Sequence, residues 1–263
     1  MKISFHSAAT LLLPAMLAVL ASSCATTIRT DTVARYQSTE CVVLLHGLNR
    51  SFRTMDKMAT SLQHDGFSTA NVDYPSSTKP IEELAPEVVN EGLNQCRSTG
   101  ATTVHFVTHS IGGILLRYEH ARHPIPDLGR VVMLGPPNQG SEVVDKTRNW
   151  PGVEIISGEA GLQLGTDEDS IPSQLGPVDF ELGIIAGTGT INPFMSAMLP
   201  EEDDGKVTVE RTQVEGMDDF IIVPNSHSFM MKSDDVIADT SRFLRTGSFL
   251  DDAGDQRSPA PNH

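Results

Sequence analysis

Thr103-Val104-His105-Phe106-Val107-Thr108-His109-Ser110-Ile111-Gly112-Gly113-Ile114-Leu115-Leu116-Arg117-Tyr118 is the stretch whose reading decides the fold. An apolar run of strand length, Thr103 to Val107, passes through Thr108-His109-Ser110 into an apolar segment of helical character. A strand, a sharp turn and a helix in so few residues hold a serine at the bend clear of both elements. Its hydroxyl stands above the sheet edge, and the first amides of the helix point to where an oxyanion would form. Small residues flank such a turn because its strained backbone brings neighbouring elements close. Gly112 obeys that rule, whereas Thr108 stands where the usual G-x-S-x-G pattern has glycine. Taken alone, Ser110 has a lesser alternative reading as the N-cap of a buried helix.

Two independent features favour the reactive reading. Cys41-Val42-Val43-Leu44-Leu45 is a fully apolar strand ending in His46-Gly47-Leu48, where a backbone amide just past the glycine can serve as a second oxyanion donor. His46 by itself reads as a structural histidine. The second feature is order: a serine hydrolase of this kind runs Ser, then Asp or Glu, then His along the chain. Of nine histidines, only His227 and the terminal His263 lie downstream of a suitable acid, and His263 ends a Pro/Gly/Asp-rich tail that offers no fixed position. His227 remains. The acid falls best at Asp204 in Glu201-Glu202-Asp203-Asp204-Gly205-Lys206-Val207, because Gly205 permits a tight turn that aims the carboxylate inward. Asp203, Asp218 and Asp219 are rivals.

The chain resembles the α/β-hydrolase superfamily, specifically small bacterial lipases and esterases and the lipase-like group related to the GPI-inositol deacylases. The matching residues are His46-Gly47-Leu48, the elbow at Ser110, Leu134-Gly135-Pro136-Pro137-Asn138-Gln139-Gly140-Ser141, Asp204-Gly205 and His227, spanning about Cys41 to Phe243 in the expected order. The resemblance implies an α/β-hydrolase fold with a Ser110-His227-Asp204 triad and oxyanion amides at Leu48 and Ile111. It also places His46, Gly47, Pro136 and Pro137 around the substrate.

Strand candidates at Cys41 to Leu45, Thr69 to Asp73, Thr103 to Val107, Val131 to Leu134, Phe180 to Ala186 and Phe220 to Val223 alternate with helix-like segments over 55–64, 81–97, 112–120 and 234–244. The alternation predicts a mostly parallel sheet of about six strands with helices on both faces. Reactive groups then collect at the carboxyl ends of the strands. Ser141 to Val178 is the least regular stretch and sits where relatives insert a lid; it is the only segment long enough to wall an acyl pocket together with Leu48, Ile111 and the Pro136-Pro137 turn. Its mixed polarity points to soluble esters of short to medium acyl chain, and the sole tryptophan, Trp150, reads as packed on the body.

Lys2, an apolar stretch from Leu11 to Leu20 and then Ala21-Ser22-Ser23-Cys24 read as a secretory signal over residues 1–23, too short to span a membrane as a helix. Cleavage before Cys24 would expose that cysteine for lipid attachment to a bacterial envelope membrane; an ordinary cleavage near Ala21 or Ala25 is the alternative. Residues 24–37 form a polar tether, 38–246 one domain and 247–263 a disordered tail. The formal charge of -15 disfavours nucleic acid and anionic headgroups as partners, leaving a small-molecule or lipid ester substrate and membrane contact through the anchor alone. No cofactor or metal site is indicated. Cys41 opens a strand and Cys96 ends the helix leading to a neighbouring strand, so both fall at the sheet edge away from Ser110. A disulfide in an oxidising compartment and two buried thiols are both open readings. Three functions fit these residues: a carboxylic-ester hydrolase, an acyltransferase using the same triad, and a non-catalytic surface lipoprotein on a hydrolase scaffold.

Overall fold

A computed structural model describes residues 28–34 and 38–250. The signal segment, Cys24 and most of the C-terminal tail lie outside the described residues. Among those described, strands β1 (Arg29–Val33), β2 (Glu40–Leu45), β3 (Ser68–Asp73), β4 (Thr103–His109), β5 (Leu128–Leu134), β6 (Leu182–Gly189) and β7 (Asp219–Ser226) form one sheet in the order β1-β3-β2-β4-β5-β6-β7. Every neighbouring pair is parallel except β1 with β3.

The interior strands are apolar on both faces because both faces are covered. On β2, Cys41, Val43 and Leu45 join one core while Val42 and Leu44 join the other; on β5, Val131 and Met133 part from Val132 and Leu134 in the same way. Helices α2 (Ile81–Ser98) and α3 (Ile111–Arg122) fill the first core, and α1 (Asp56–His64) and α9 (Asp234–Thr246) the second. The β5 to β6 connection carries α4 (Glu142–Thr147), α5 (Val153–Leu162) and the short α6 (Ile171–Gln174). The β6 to β7 connection carries two further short helices, α7 (Pro193–Ser196) and α8 (Val209–Thr212).

The sheet has seven strands where six were expected. The added one is β1: residues 29–33, read from sequence as part of a tether, pair antiparallel with β3 from Arg29 opposite Asp73 to Val33 opposite Thr69. It is an edge strand, partly exposed, so it lacks the apolar run that marks a buried strand. The chain runs from β2 to one side through β3 and returns to the other side at β4. That reversal opens a crevice between the carboxyl ends of β2 and β4, the place where open α/β sheets bind ligands.

Cys41 and Cys96 are joined by a disulfide with Cα atoms 5.6 Å apart. It ties the start of β2 to the end of α2, at the opposite sheet edge from Ser110.

Candidate active site

Ser110 stands between β4 and α3 in a conformation few side chains adopt, φ 55° and ψ -125°, at a cost of about 1–3 kcal/mol. The surroundings hold it there. Its N–H donates to the Leu134 carbonyl at 2.9 Å, and its own carbonyl accepts from Gly113 at 3.0 Å. The bend is therefore tied both to β5 and to the first turn of α3. A Cβ on Gly112 would meet the Leu45 carbonyl at 2.9 Å, and one on Gly113 would lie 3.2 Å from Thr108 Oγ1. Thr108 stands in the elbow where glycine is usual because Gly113 leaves space for it. Its hydroxyl is buried without a hydrogen-bond partner among the described residues.

His227 follows β7 directly, and Asp204 lies in the β6 to β7 connection. His227 Nδ1–H donates to Asp204 Oδ2 at 2.7 Å, and the His227 amide donates to the Asp204 carbonyl at 2.9 Å. The other carboxylate oxygen, Oδ1, accepts the Lys206 and Val207 amides at 3.0 and 2.9 Å, a hairpin that closes through Gly205 at φ +96°. With Nδ1 protonated by this pairing, Nε2 is the basic nitrogen. Gly135, at φ +52°, makes room for the pair: a Cβ there would lie 2.8 Å from Asp204 Oδ2 and 3.1 Å from His227 Nδ1.

The rival acids are engaged elsewhere. Asp203 accepts from the Ser196 hydroxyl at 2.7 Å and from the Gly205 amide at 2.7 Å. Asp218 accepts from the Leu182 amide, and Asp219 from the amides of Phe220 and Phe249.

His109, which sequence reasoning did not assign to the site, is buried beside His227 with ring centroids 4.7 Å apart. Its Nε2–H donates to the His227 carbonyl at 2.8 Å, and its Nδ1 is buried without a partner. Burial, reinforced by the nearby His227, lowers its pKa well below the ordinary value, so the ring stays neutral. A Cβ on Gly47 would come within 2.6 Å of that ring. The sequence signal was its place immediately before the serine.

Ser110 and His227 open onto one cleft of about 290 Å³. Leu48 and Pro137 wall it near the serine, and the 141–164 region supplies Val144, Trp150 and Leu164. The remaining expected neighbours are placed differently. Ile111 sends its side chain into the core, leaving only its backbone at the elbow. His46 is buried, stacked on Tyr74 at 4.1 Å, its Nδ1 against the Gly47 carbonyl. It supports the turn rather than lining the cleft, and burial lowers its pKa. Pro137 lines the cleft while Pro136 does not. Trp150, expected on the body, stands at the mouth, half-exposed and 6.1 Å from the Phe194 ring. Ile155 and Ile156 are 82% and 68% exposed, so the rim is more apolar than the stretch's composition implied. Among the described residues, no group of three or more His, Cys, Asp or Glu could hold a metal ion.

The architecture is that of the α/β-hydrolases, and solved structures of ester hydrolases share it. The mature lipase BlEst2 of Bacillus licheniformis superposes with a TM-score of 0.65 at 18% identity, covering 83% of this chain and 98% of that one. Phospholipase PlaB of Legionella pneumophila gives 0.65 at 16% identity, over 80% of this chain and 60% of that one. A carboxylesterase of Nitrososphaera gargenis gives 0.54 at 12% identity, over 86% and 97%. No family model and no curated protein sequence matches the chain.

Proposed function

We propose that the protein is a carboxylic-ester hydrolase in which Ser110, His227 and Asp204 act as a triad. The observation that carries this reading is the His227–Asp204 pair at 2.7 Å, with Ser110 opening onto the same cleft from a strained elbow. Ser110 Oγ attacks the acyl carbonyl as His227 Nε2 takes its proton, and Asp204 stabilises the imidazolium that results. The amides of Leu48 and Ile111 receive the oxyanion, at about 3 kcal/mol per donor. Collapse breaks the ester bond, the alcohol leaves with the proton from His227, and Ser110 carries the acyl group. Water, deprotonated by His227, then releases the acid and restores the serine.

The cleft volume suits a short to medium acyl chain lying along Val144 and Leu164. The core disulfide fits an exported protein, in keeping with a signal over residues 1–23 and lipid attachment at Cys24, both outside the described residues. A serine-directed fluorophosphonate tests the function: it should label the wild-type protein and fail to label Ser110→Ala and His227→Ala variants of unchanged fold. Labelling of Ser110→Ala, or near-normal turnover by His227→Ala, would overturn the assignment.

A further inference from the structure

Lys206 lines the cleft that opens on Ser110 and His227. Its backbone is held on both sides, the amide by Asp204 Oδ1 at 3.0 Å and the carbonyl by the Ser141 hydroxyl at 2.7 Å. The ammonium takes no part in the hydrogen bonds or ion pairs among the described residues. Arg50 lies close enough to act on it electrostatically, and among the described residues its guanidinium bonds only the neutral Ser228 hydroxyl, at 3.2 Å. Ser228 directly follows His227, so this bond sets Arg50 beside the imidazole rim of the cleft and outside its lining, whereas Lys206 is part of the wall. The nearby carboxylate, Asp204, is committed: one oxygen serves His227 and the other two backbone amides.

A protein with a formal charge of -15 thus keeps one cation, Lys206, in the wall of its reactive cleft and a second, Arg50, beside the rim, neither ion-paired with a carboxylate among the described residues. An unpaired cation in the wall of a cleft gains from a bound anion, and the same cleft carries apolar wall from Val144, Val153 and Trp150.

Resting on the ester-hydrolase reading, we propose that the substrate is an ester bearing an anionic group, carboxylate or phosphate, which Lys206 and Arg50 bind beside the scissile bond while the acyl chain takes the apolar wall. Lys206 and Arg50 are then specificity determinants.

The test compares 3-hexanoyloxy-4-nitrobenzoate with its uncharged carboxamide, and lysophosphatidate with monoacylglycerol of the same chain as monomers. The first pair reads a carboxylate and the second a phosphate. For at least one pair, the wild-type protein should favour the anionic ester in kcat/KM by about tenfold. Lys206→Met and Arg50→Gln should each shrink that ratio, chiefly through KM, and so should raising salt from roughly 0.05 to 0.5 M on the unaltered protein. Equal turnover of charged and neutral esters in both pairs would overturn the proposal while leaving the hydrolase reading intact, as would a preference insensitive to both variants and to salt. Failure to turn over any of the four would overturn the hydrolase reading and this inference with it.

Discussion

Asp203 and Asp204 are adjacent, alike in chemistry and both buried, yet only Asp204 faces the imidazole. Asp204→Asn should keep the fold and lower kcat by several orders of magnitude, since an amide there favours the wrong imidazole tautomer. Asp203→Asn should cost far less, because its bonds to Ser196 and Gly205 shape the turn from behind; kinetics of the two variants on one ester would separate them. Thr108 gives a second test. Its hydroxyl is buried without a partner, so Thr108→Val keeps the shape and removes the unmet polar group. We expect a gain of about 1 kcal/mol in denaturant unfolding with kcat unchanged; a loss of stability would show that the hydroxyl is satisfied. The bend at Ser110 and the pairing of His227 with Asp204 could be anticipated from the order of these residues and from Gly205. The place of His109 could not, because a histidine beside a serine carries no mark of which neighbour its ring will reach.

At the scale of elements, the strands and helices that form the two cores were readable from apolar runs and their flanking glycines and prolines, since elements covered on both faces have distinctive composition. β1 was not, because an edge strand draws its stability from one partner, β3, and can remain polar. The 141–178 stretch shows the same limit: its composition is mixed, but its folding as α4, α5 and α6 sorts that mixture, presenting Val144, Ile156 and Leu164 to the cleft and Ile155 to solvent. The disulfide also belongs to this scale, joining β2 to α2 across 55 residues. Replacing both cysteines by alanine should lower unfolding stability by about 4 kcal/mol in the chain-entropy model while leaving the distant cleft competent. A loss of activity under conditions where the variant remains folded would contradict that separation.

Over the whole molecule, stability depends on histidines that burial keeps neutral. His46, His105 and His109 are all buried, and burial lowers the pKa of each. In the unfolded chain they return to about 6.5, so below that pH the unfolded state binds more protons. Their contribution is complete above the unfolded value and is lost as pH falls towards the folded ones. The slope approaches about 1.4 kcal/mol per pH unit for each histidine that stays neutral in the fold. Urea midpoints between pH 7.5 and 5 should therefore fall with acid; a flat profile would mean that the fold relaxes to hydrate these rings.

The sequence by itself determined the class of fold, the serine at its elbow and the histidine downstream, because periodicity and order along the chain are one-dimensional properties. It favoured Asp204 while leaving Asp203, Asp218 and Asp219 as rivals, and left open whether Cys41 met Cys96. Only the tertiary structure decided which aspartate faces His227, which wall Trp150 joins and that Lys206 lines the cleft with Arg50 beside its rim. Those are distances between segments far apart in sequence, set by how the β5 to β6 and β6 to β7 connections fold back over the sheet, and no local pattern encodes them.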